Sequence, residues 1–390
     1  MERSIGMRIL AVSHPCVTDV NQQFYAELEA LGHQVHIIMP SNFRTEYSGE
    51  AVQVVRWPAY TGGMETRRVG FPKSIPLHYY QSSLKQAIER YRPDVLFVEE
   101  EPYSVSAWQA YFASRRLSVK RVIYSAQNIM KNYPEPFRSM ERYVLSRSDM
   151  AAVVSREVGE VLQNKGFQGE LLPFPLGVDT MQFRPIPEEG KKLREELGLG
   201  NSFVVGYVGR FVEEKGMHTL MDALPHLAGS RFKLLMVGNG PMLGELRQAQ
   251  ERYPELLYIA DQVTHRDVHR WMNAMDVLTL PSLTMPNWKE QFGRVIVEAM
   301  ACGVPVLGSD SGEIPVLIGE TGGGWTFPEG NTAAFVQSLW HISGKPDEYK
   351  ARSSNGYAAV HERFSKRALA KAFVERLEAL LQPHERRNAQ

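Results

Sequence analysis

Short apolar runs alternate along the chain with longer amphipathic stretches, a pattern that predicts strand, helix and strand in regular succession. Residues 7–13 read as a first strand, 21–31 as a helix stopped by Gly32, and 35–39 and 52–56 as further strands. Residues 76–91 follow as a helix, 94–98 and 121–125 as strands, 138–146 as a helix, 150–154 as a strand, and Ser155 as the N-cap of the next helix. The strand runs are apolar on both faces, as strands covered on both sides of a parallel sheet must be. The alternation predicts an α/β fold.

The pattern breaks at residues 171–179, where two prolines and Gly177 interrupt it before the charged segment 188–196, as suits a linker. It then resumes with strands at 203–208, 232–237, 276–280 and 304–307, and helices at 215–227 and 293–302, the second stopped by Gly303. Further helices are expected at 332–342 and 366–381. Two α/β domains result, 1–175 and 176–365, with a closing segment 366–390. The stretch 57–76, with three glycines, two adjacent arginines and several aromatics, reads as an irregular loop suited to face a substrate.

Composition narrows the function classes. The chain has 390 residues, 44 basic and 44 acidic, so no overall charge attracts nucleic acid. A local basic patch is compatible with this balance, and peripheral membrane contact stays open. Cys16 and Cys302 are the only cysteines, which excludes a disulfide framework and points to a reducing compartment. Residues 1–7 lack the apolar stretch of a signal peptide, and no run reaches the roughly 18 apolar residues of a spanning helix. The expectation is a cytoplasmic protein, soluble or peripheral on the inner membrane face.

The stretch 281–310 carries the most chemistry. It reads as strand end, polar loop, helix and strand, with Glu290 in the loop and Glu298 within the helix. Free amides of the first helical turn, around Gln291, Phe292, Gly293 and Val295, suit a phosphate, and Gly293 permits close approach. Glu298 lies five residues past Gly293, roughly 7 Å along a helix axis. A diphosphate at the helix start would have one carboxylate on either side: Glu290 by the group on the outer phosphate, Glu298 by the ribose. Upstream, Gly209 and Arg210 end a strand and Lys215 opens a helix, placing a guanidinium fork and an ammonium where a diphosphate could be neutralised.

The segment Glu290-Gln-Phe-Gly-Arg-Val-Ile-Val-Glu298-Ala-Met-Ala-Cys-Gly-Val-Pro-Val306 resembles the E-x7-E signature of the retaining glycosyltransferases of family 4. Residues 207–216 are similar to that family's strand-to-helix segment, whose Arg and Lys hold the donor diphosphate. The resemblance covers most of residues 175–330 and, more loosely, the whole chain. It implies the GT-B fold: two Rossmann-like domains facing each other across a cleft, acceptor in the first and nucleotide sugar in the second. It further implies that the last helix packs back on the first domain, that Arg210, Lys215 and Glu290 are catalytic, and that Val263 lies near the base. No cofactor or metal is expected; a UDP or GDP sugar is the expected substrate and a hydroxyl compound its acceptor.

Two positions depart from the family pattern. Relatives often carry a Gly-Gly pair after the first strand, where this chain has His14 through Asn21, and a histidine at a strand end where this chain has Gln127 or Asn128. An amide can bind a sugar hydroxyl but does not titrate near neutrality. On the acceptor side, three carboxylates, Glu99 to Glu101, end the strand 94–98, and crowding favours some being paired or functional. Glu101, before Pro102, and His14 are the candidates for acceptor contact. The reading is hexose transfer with retained configuration, the leaving phosphate taking the acceptor proton. Three alternatives stand beside it: a GT-B epimerase, a non-catalytic sugar-nucleotide-binding subunit and, on a single weak G-x-G at 238–240, a nicotinamide oxidoreductase.

Overall fold

The computed structural model describes residues 6–44 and 51–382; the first five residues of the segment read above for a leader lie outside them. The chain divides into two compact units, 1–175 with 366–390, and 176–365.

In the first unit β1 (Arg8–Ser13), β2 (Gln34–Pro40), β3 (Gly63–Arg67), β6 (Val95–Glu99), β7 (Lys120–Ser125), β8 (Met150–Val153) and β9 (Glu170–Pro173) form one parallel sheet in the order β3-β2-β1-β6-β7-β8-β9, beside a hairpin of β4 (Val69–Gly70) and β5 (Tyr79–Tyr80). The order reverses direction between β1 and β6, which opens a crevice beyond the carboxyl ends of those two strands. The apolar residues of β1, β2 and β6 are buried, with Ser13 and His36 the polar side chains buried among them. The core is closed by Phe24, Phe97, Phe174 and Phe373, whose ring centroids lie 4.9–5.8 Å apart. Phe373 comes from the helix Lys366–Leu381, so the end of the chain completes the core of the first unit.

The second unit repeats the scheme. Strands β10 (Phe203–Val208), β11 (Phe232–Val237), β12 (Leu257–Ala260), β13 (Val277–Leu280), β14 (Val306–Ser309) and β15 (Gly324–Phe327) form a parallel sheet in the order β12-β11-β10-β13-β14-β15. Its switch point lies between β10 and β13.

Two expectations need correction. Residues 52–56 form no strand; β3 lies at Gly63–Arg67, paired with β2. The register sets Gly63 opposite His36, and a Cβ at Gly63 would fall 1.8 Å from His36 Nδ1, so the glycine that reads as a turn signal instead allows an edge strand to lie over an imidazole. The helix expected over 76–91 spans only Leu84–Tyr91, because Tyr79 and Tyr80 pair with β4 and the amide of Gln109 brackets the Tyr80 backbone. By contrast, Ser155 caps its helix as expected, accepting from the Val158 amide.

Candidate active site

The loops after β10 and β13 flank the switch point of the second unit, and they carry Lys215 and Glu290. Lys215 Nζ donates to Glu290 Oε2 at 2.5 Å, Ser282 Oγ donates to the same oxygen at 3.0 Å, and the ammonium stands 4.8 Å from the Trp288 ring centre. Gly216 lets the lysine loop lie against the end of β13: its φ is +73°, and a Cβ there would sit 1.9 Å from the Pro281 carbonyl oxygen. The Glu290 backbone is fixed from the other side. Its carbonyl accepts from the Glu313 amide at 3.1 Å, and Gly312 (φ +54°) packs so closely that a Cβ would lie 2.1 Å from that oxygen.

Glu290 leads into the helix Arg294–Ala301, whose N-cap is Gly293 in the left-handed region at φ +77°. Phe292 is buried and anchors the turn, Gln291 is exposed and Val295 half-buried. The carbonyl of Gly293 accepts from the Ile296 amide, closing the turn tightly. Arg294, the first helical residue, has a buried Nε with no hydrogen-bond partner among the described residues. An unsatisfied buried donor is costly, so this end of the helix is suited to an anion. Glu298 is buried on the same helix, and His265 Nε2 approaches its Oε1 at 3.4 Å from the loop after β12. Val263 lies half-buried in that same loop.

Gly209 and Arg210 follow β10. The Arg210 carbonyl accepts from Tyr207 Oη at 2.6 Å, while its guanidinium is half-exposed and 3.6 Å from Glu214. Thus Arg210, Lys215, Glu290 and the start of the helix stand at the carboxyl edge of one sheet, on loops from its two switch-point strands. Trp288, Ser282, His265 and Arg294 were missed in the sequence. The first three lie outside any helical or strand periodicity, and Arg294 was seen only as one letter of a motif.

In the first unit the switch-point strands bring together the other candidates. Glu99 accepts from Ser13 Oγ at 2.6 Å and Tyr25 Oη at 2.8 Å; burial pushes its carboxyl up, against the pull of those hydrogen bonds. Glu100 is fully buried and takes the His14 amide at 2.9 Å, His14 Nδ1 at 2.6 Å and, at ion-pair range, His78 Nε2 at 3.4 Å. Burial alone would raise the Glu100 carboxyl, but the two imidazoles outweigh it and hold it down at about 2. His78 Nδ1 faces the Ile75 carbonyl at 2.8 Å, so that nitrogen carries a proton and Nε2 points at the carboxylate. Burial lowers the His78 pKa, and Glu100 with the backbone carbonyls more than reverses it, leaving it raised.

Glu101 accepts from Ser125 Oγ and the Ala126 amide, both at 2.8 Å, so its carboxylate is taken up in fixing the end of β7. Gln127 is held by the Ile129 carbonyl and by Tyr133 Oη, and Asn128 is buried. All three carboxylates at the end of β6 therefore have internal partners, and His14 is placed by one of them. His78, outside every motif in the sequence, completes that arrangement. Among the described residues no helix is long and apolar enough to cross a membrane.

Comparison with known proteins agrees with this architecture. Residues 17–177 match the family described as Glycosyl transferase 4-like domain, and residues 202–343 match Glycosyl transferases group 1. The chain is similar to a GDP-mannose-dependent α-(1-6)-phosphatidylinositol monomannoside mannosyltransferase of Mycolicibacterium smegmatis, 32% identical over 226 residues, 54% of this chain and 58% of that one. It is also similar to a D-inositol 3-phosphate glycosyltransferase of Streptomyces bingchenggensis, 28% identical over 249 residues, 59% of this chain and 53% of that one. The matched stretches thus span about half the length of these relatives. Among solved structures, Anabaena HepE in complex with UDP superposes with a TM-score of 0.74 at 17% identity, covering 96% of this chain and 100% of that one, a likeness of fold. With each unit matched by its own family model and the whole chain matched in fold, the protein belongs to the GT-B glycosyltransferases of family 4.

Proposed function

We propose that the protein transfers a hexose, with retained configuration, from a nucleoside diphosphate sugar, a UDP or GDP sugar, to a hydroxyl acceptor. The observation that carries this reading is the convergence of Lys215, Glu290 and the start of the helix Arg294–Ala301 at the switch point of the second unit. Arg210, Lys215 and the amides from Gln291 to Val295 stabilise the negative charge that grows on the departing diphosphate. Gly209 and Gly293 allow the phosphates close to the backbone, Glu290 holds sugar hydroxyls, Glu298 holds the ribose, and backbone groups at Val263 read the base. The bound donor draws Lys215 toward its phosphates, and Glu290 accepts from the sugar in its place.

The acceptor binds the first unit, beyond β1, β6 and β7, where His14, Glu101, Gln127 and Asn128 shape the edge. The acceptor oxygen bonds to the anomeric carbon on the face from which the diphosphate leaves. The C–O electron pair passes to the leaving phosphate oxygen, which takes the acceptor proton. The names of the relatives, a mannosyltransferase and a glycosyltransferase, support sugar transfer as the class of reaction.

Thermal shifts with UDP-glucose, GDP-mannose and ADP-glucose identify the donor, and NMR of the product gives its anomeric configuration. Protection by one nucleotide sugar and a product with the donor's configuration are expected. An inverted product would overturn retention, and conversion of donor without acceptor would make the protein an epimerase.

A further inference from the structure

Beyond the carboxyl end of β7 the chain passes through residues 126–136 into the helix Phe137–Leu145. This loop, that helix and the end of the helix Arg156–Asn164 line an open cavity of about 440 Å³. Its charge is one-sided. Lys131, Arg138, Arg142 and Lys165 line it, against Glu141 as the only lining carboxylate. Glu141 is already neutralised, because Lys165 Nζ donates to it at 2.6 Å in a buried pair. Lys131, Arg138 and Arg142 make no side-chain hydrogen bond or ion pair among the described residues.

Arg138 and Arg142 are four residues apart on one helix face and both point to the cavity. Like charges at that spacing weaken a helix, and among the described residues no carboxylate forms an ion pair with either, the exposed Glu135 acting on both only at longer range. Glu135 nearby turns to the Ser139 amide, and the two arginines contribute only the weaker part of the lowering of its pKa. Convergent guanidinium forks and an ammonium with no ion-paired carboxylate among the described residues are the donor set that a phosphate group fits.

The wall facing the sheet is rigid. Tyr133 stacks on Tyr103 at 4.1 Å, Lys165 Nζ lies 4.7 Å from the Tyr133 ring centre, and Tyr133 Oη donates to Gln127 Oε1 at 3.5 Å. The cavity is thereby tied to the strand-end residue assigned above to the acceptor edge. We propose that it binds a phosphate group, through Arg138, Arg142 and Lys131, and that this phosphate belongs to the acceptor, making the acceptor a phosphorylated molecule. The first part stands on the cavity alone; the second rests on the transfer reading.

Met130 lines the cavity and is 46% exposed, so its methyl group reports on occupancy. In protein labelled at the methionine methyl carbons, with Met130 assigned through Met130→Leu, inorganic phosphate is titrated against potassium chloride of equal ionic strength. A saturable shift of the Met130 signal with phosphate is expected, and its loss in the Arg138→Gln/Arg142→Gln variant. Vesicles of phosphatidylglycerol form the second arm: a response to phosphate and vesicles alike marks a free or lipid-borne phosphate, and a response to vesicles alone a lipid headgroup. The site is overturned if chloride reproduces the shift, if neither arm gives one, or if the double variant responds like the wild type. Failure of donor binding or sugar transfer leaves this titration unaffected, and the proposed reaction can fail without the site failing.

Discussion

Lys215 and Glu290 are 75 residues apart in sequence and meet at 2.5 Å, each neutralising the other beside the helix start that is assigned to the donor phosphates. A charged group left alone in a largely buried place is destabilising, so Lys215→Ala and Glu290→Ala should each cost about 2–4 kcal/mol in denaturant unfolding. Stability of single variants therefore does not separate a structural from a functional role, and the double variant does. Removing both charges should recover much of the lost stability while transfer stays at least 100-fold down. Recovery of activity alongside stability would reduce the pair to a structural tie.

Glu99 and Glu100 are adjacent, both enclosed at the end of β6, and should respond to neutralisation in opposite ways. The folded carboxyl of Glu100, at about 2, lies below its ordinary 4.5, so its contribution is present above 4.5 and is lost as pH falls through about 2. The shift corresponds to about 3 kcal/mol, which Glu100→Gln should remove at pH 7. His78 adds the complementary dependence: its folded pKa is raised, so its contribution is full below 6.5 and is lost as pH rises through the folded value. Glu99 is raised by burial, so its penalty is full above the folded value and absent below 4.5. Glu99→Gln, whose amide oxygen still accepts from Ser13 and Tyr25, should be neutral or stabilising at pH 7. Unfolding free energies of both variants from pH 3 to 9 check the contrast.

Gly312 and Gly319 offer a paired test of how the Glu290 loop is held. Alanine at Gly312 places a Cβ 2.1 Å from the Glu290 carbonyl oxygen in a left-handed backbone, and a backbone atom cannot swing aside. Gly312→Ala should cost at least about 2 kcal/mol and weaken binding of the protective nucleotide diphosphate by displacing Glu290. Gly319, inside the helix Ile314–Thr321, has nothing within 4 Å of the same atom. Gly319→Ala should stabilise by about 0.5–1 kcal/mol and leave binding unchanged. Thermal melts and calorimetric titration with UDP and GDP distinguish the two.

These relationships mark where the sequence is readable. Strands at 203–208 and 232–237 and the terminal helix 366–381 coincide with the observed β10, β11 and Lys366–Leu381, because each buries an apolar run of the correct period. The helix after Gly293 and its two flanking strands were legible for the same reason. Edge elements were not: β3 carries no apolar run, and its place is set by pairing with β2 and by the room Gly63 leaves for His36. Partnerships across long separations were equally hidden. Nothing near Glu290 announces Lys215 as its counter-ion, and nothing in the loop 72–80 announces that His78 faces Glu100, since both depend on strand order rather than on local pattern. The helix Pro346–Ala359, with only Gly356 buried, has too little apolar periodicity to be found.

His265 provides the last test, because it is 46% exposed and approaches the buried Glu298 at 3.4 Å without being part of any core. Its removal should change stability by no more than about 1 kcal/mol, the upper end for an ion pair with one half-exposed partner. If Glu298 holds the donor ribose, freeing it from His265 alters donor affinity and leaves the chemical step alone. His265→Ala should then change KM for the nucleotide sugar two- to fivefold with kcat held, whereas Glu298→Gln, which replaces a charged acceptor with a neutral amide, should raise KM at least tenfold. A 2′-deoxy or 3′-deoxy ribose donor closes the argument. The penalty for losing the hydroxyl should vanish in Glu298→Gln, and an undiminished penalty would remove Glu298 from the ribose.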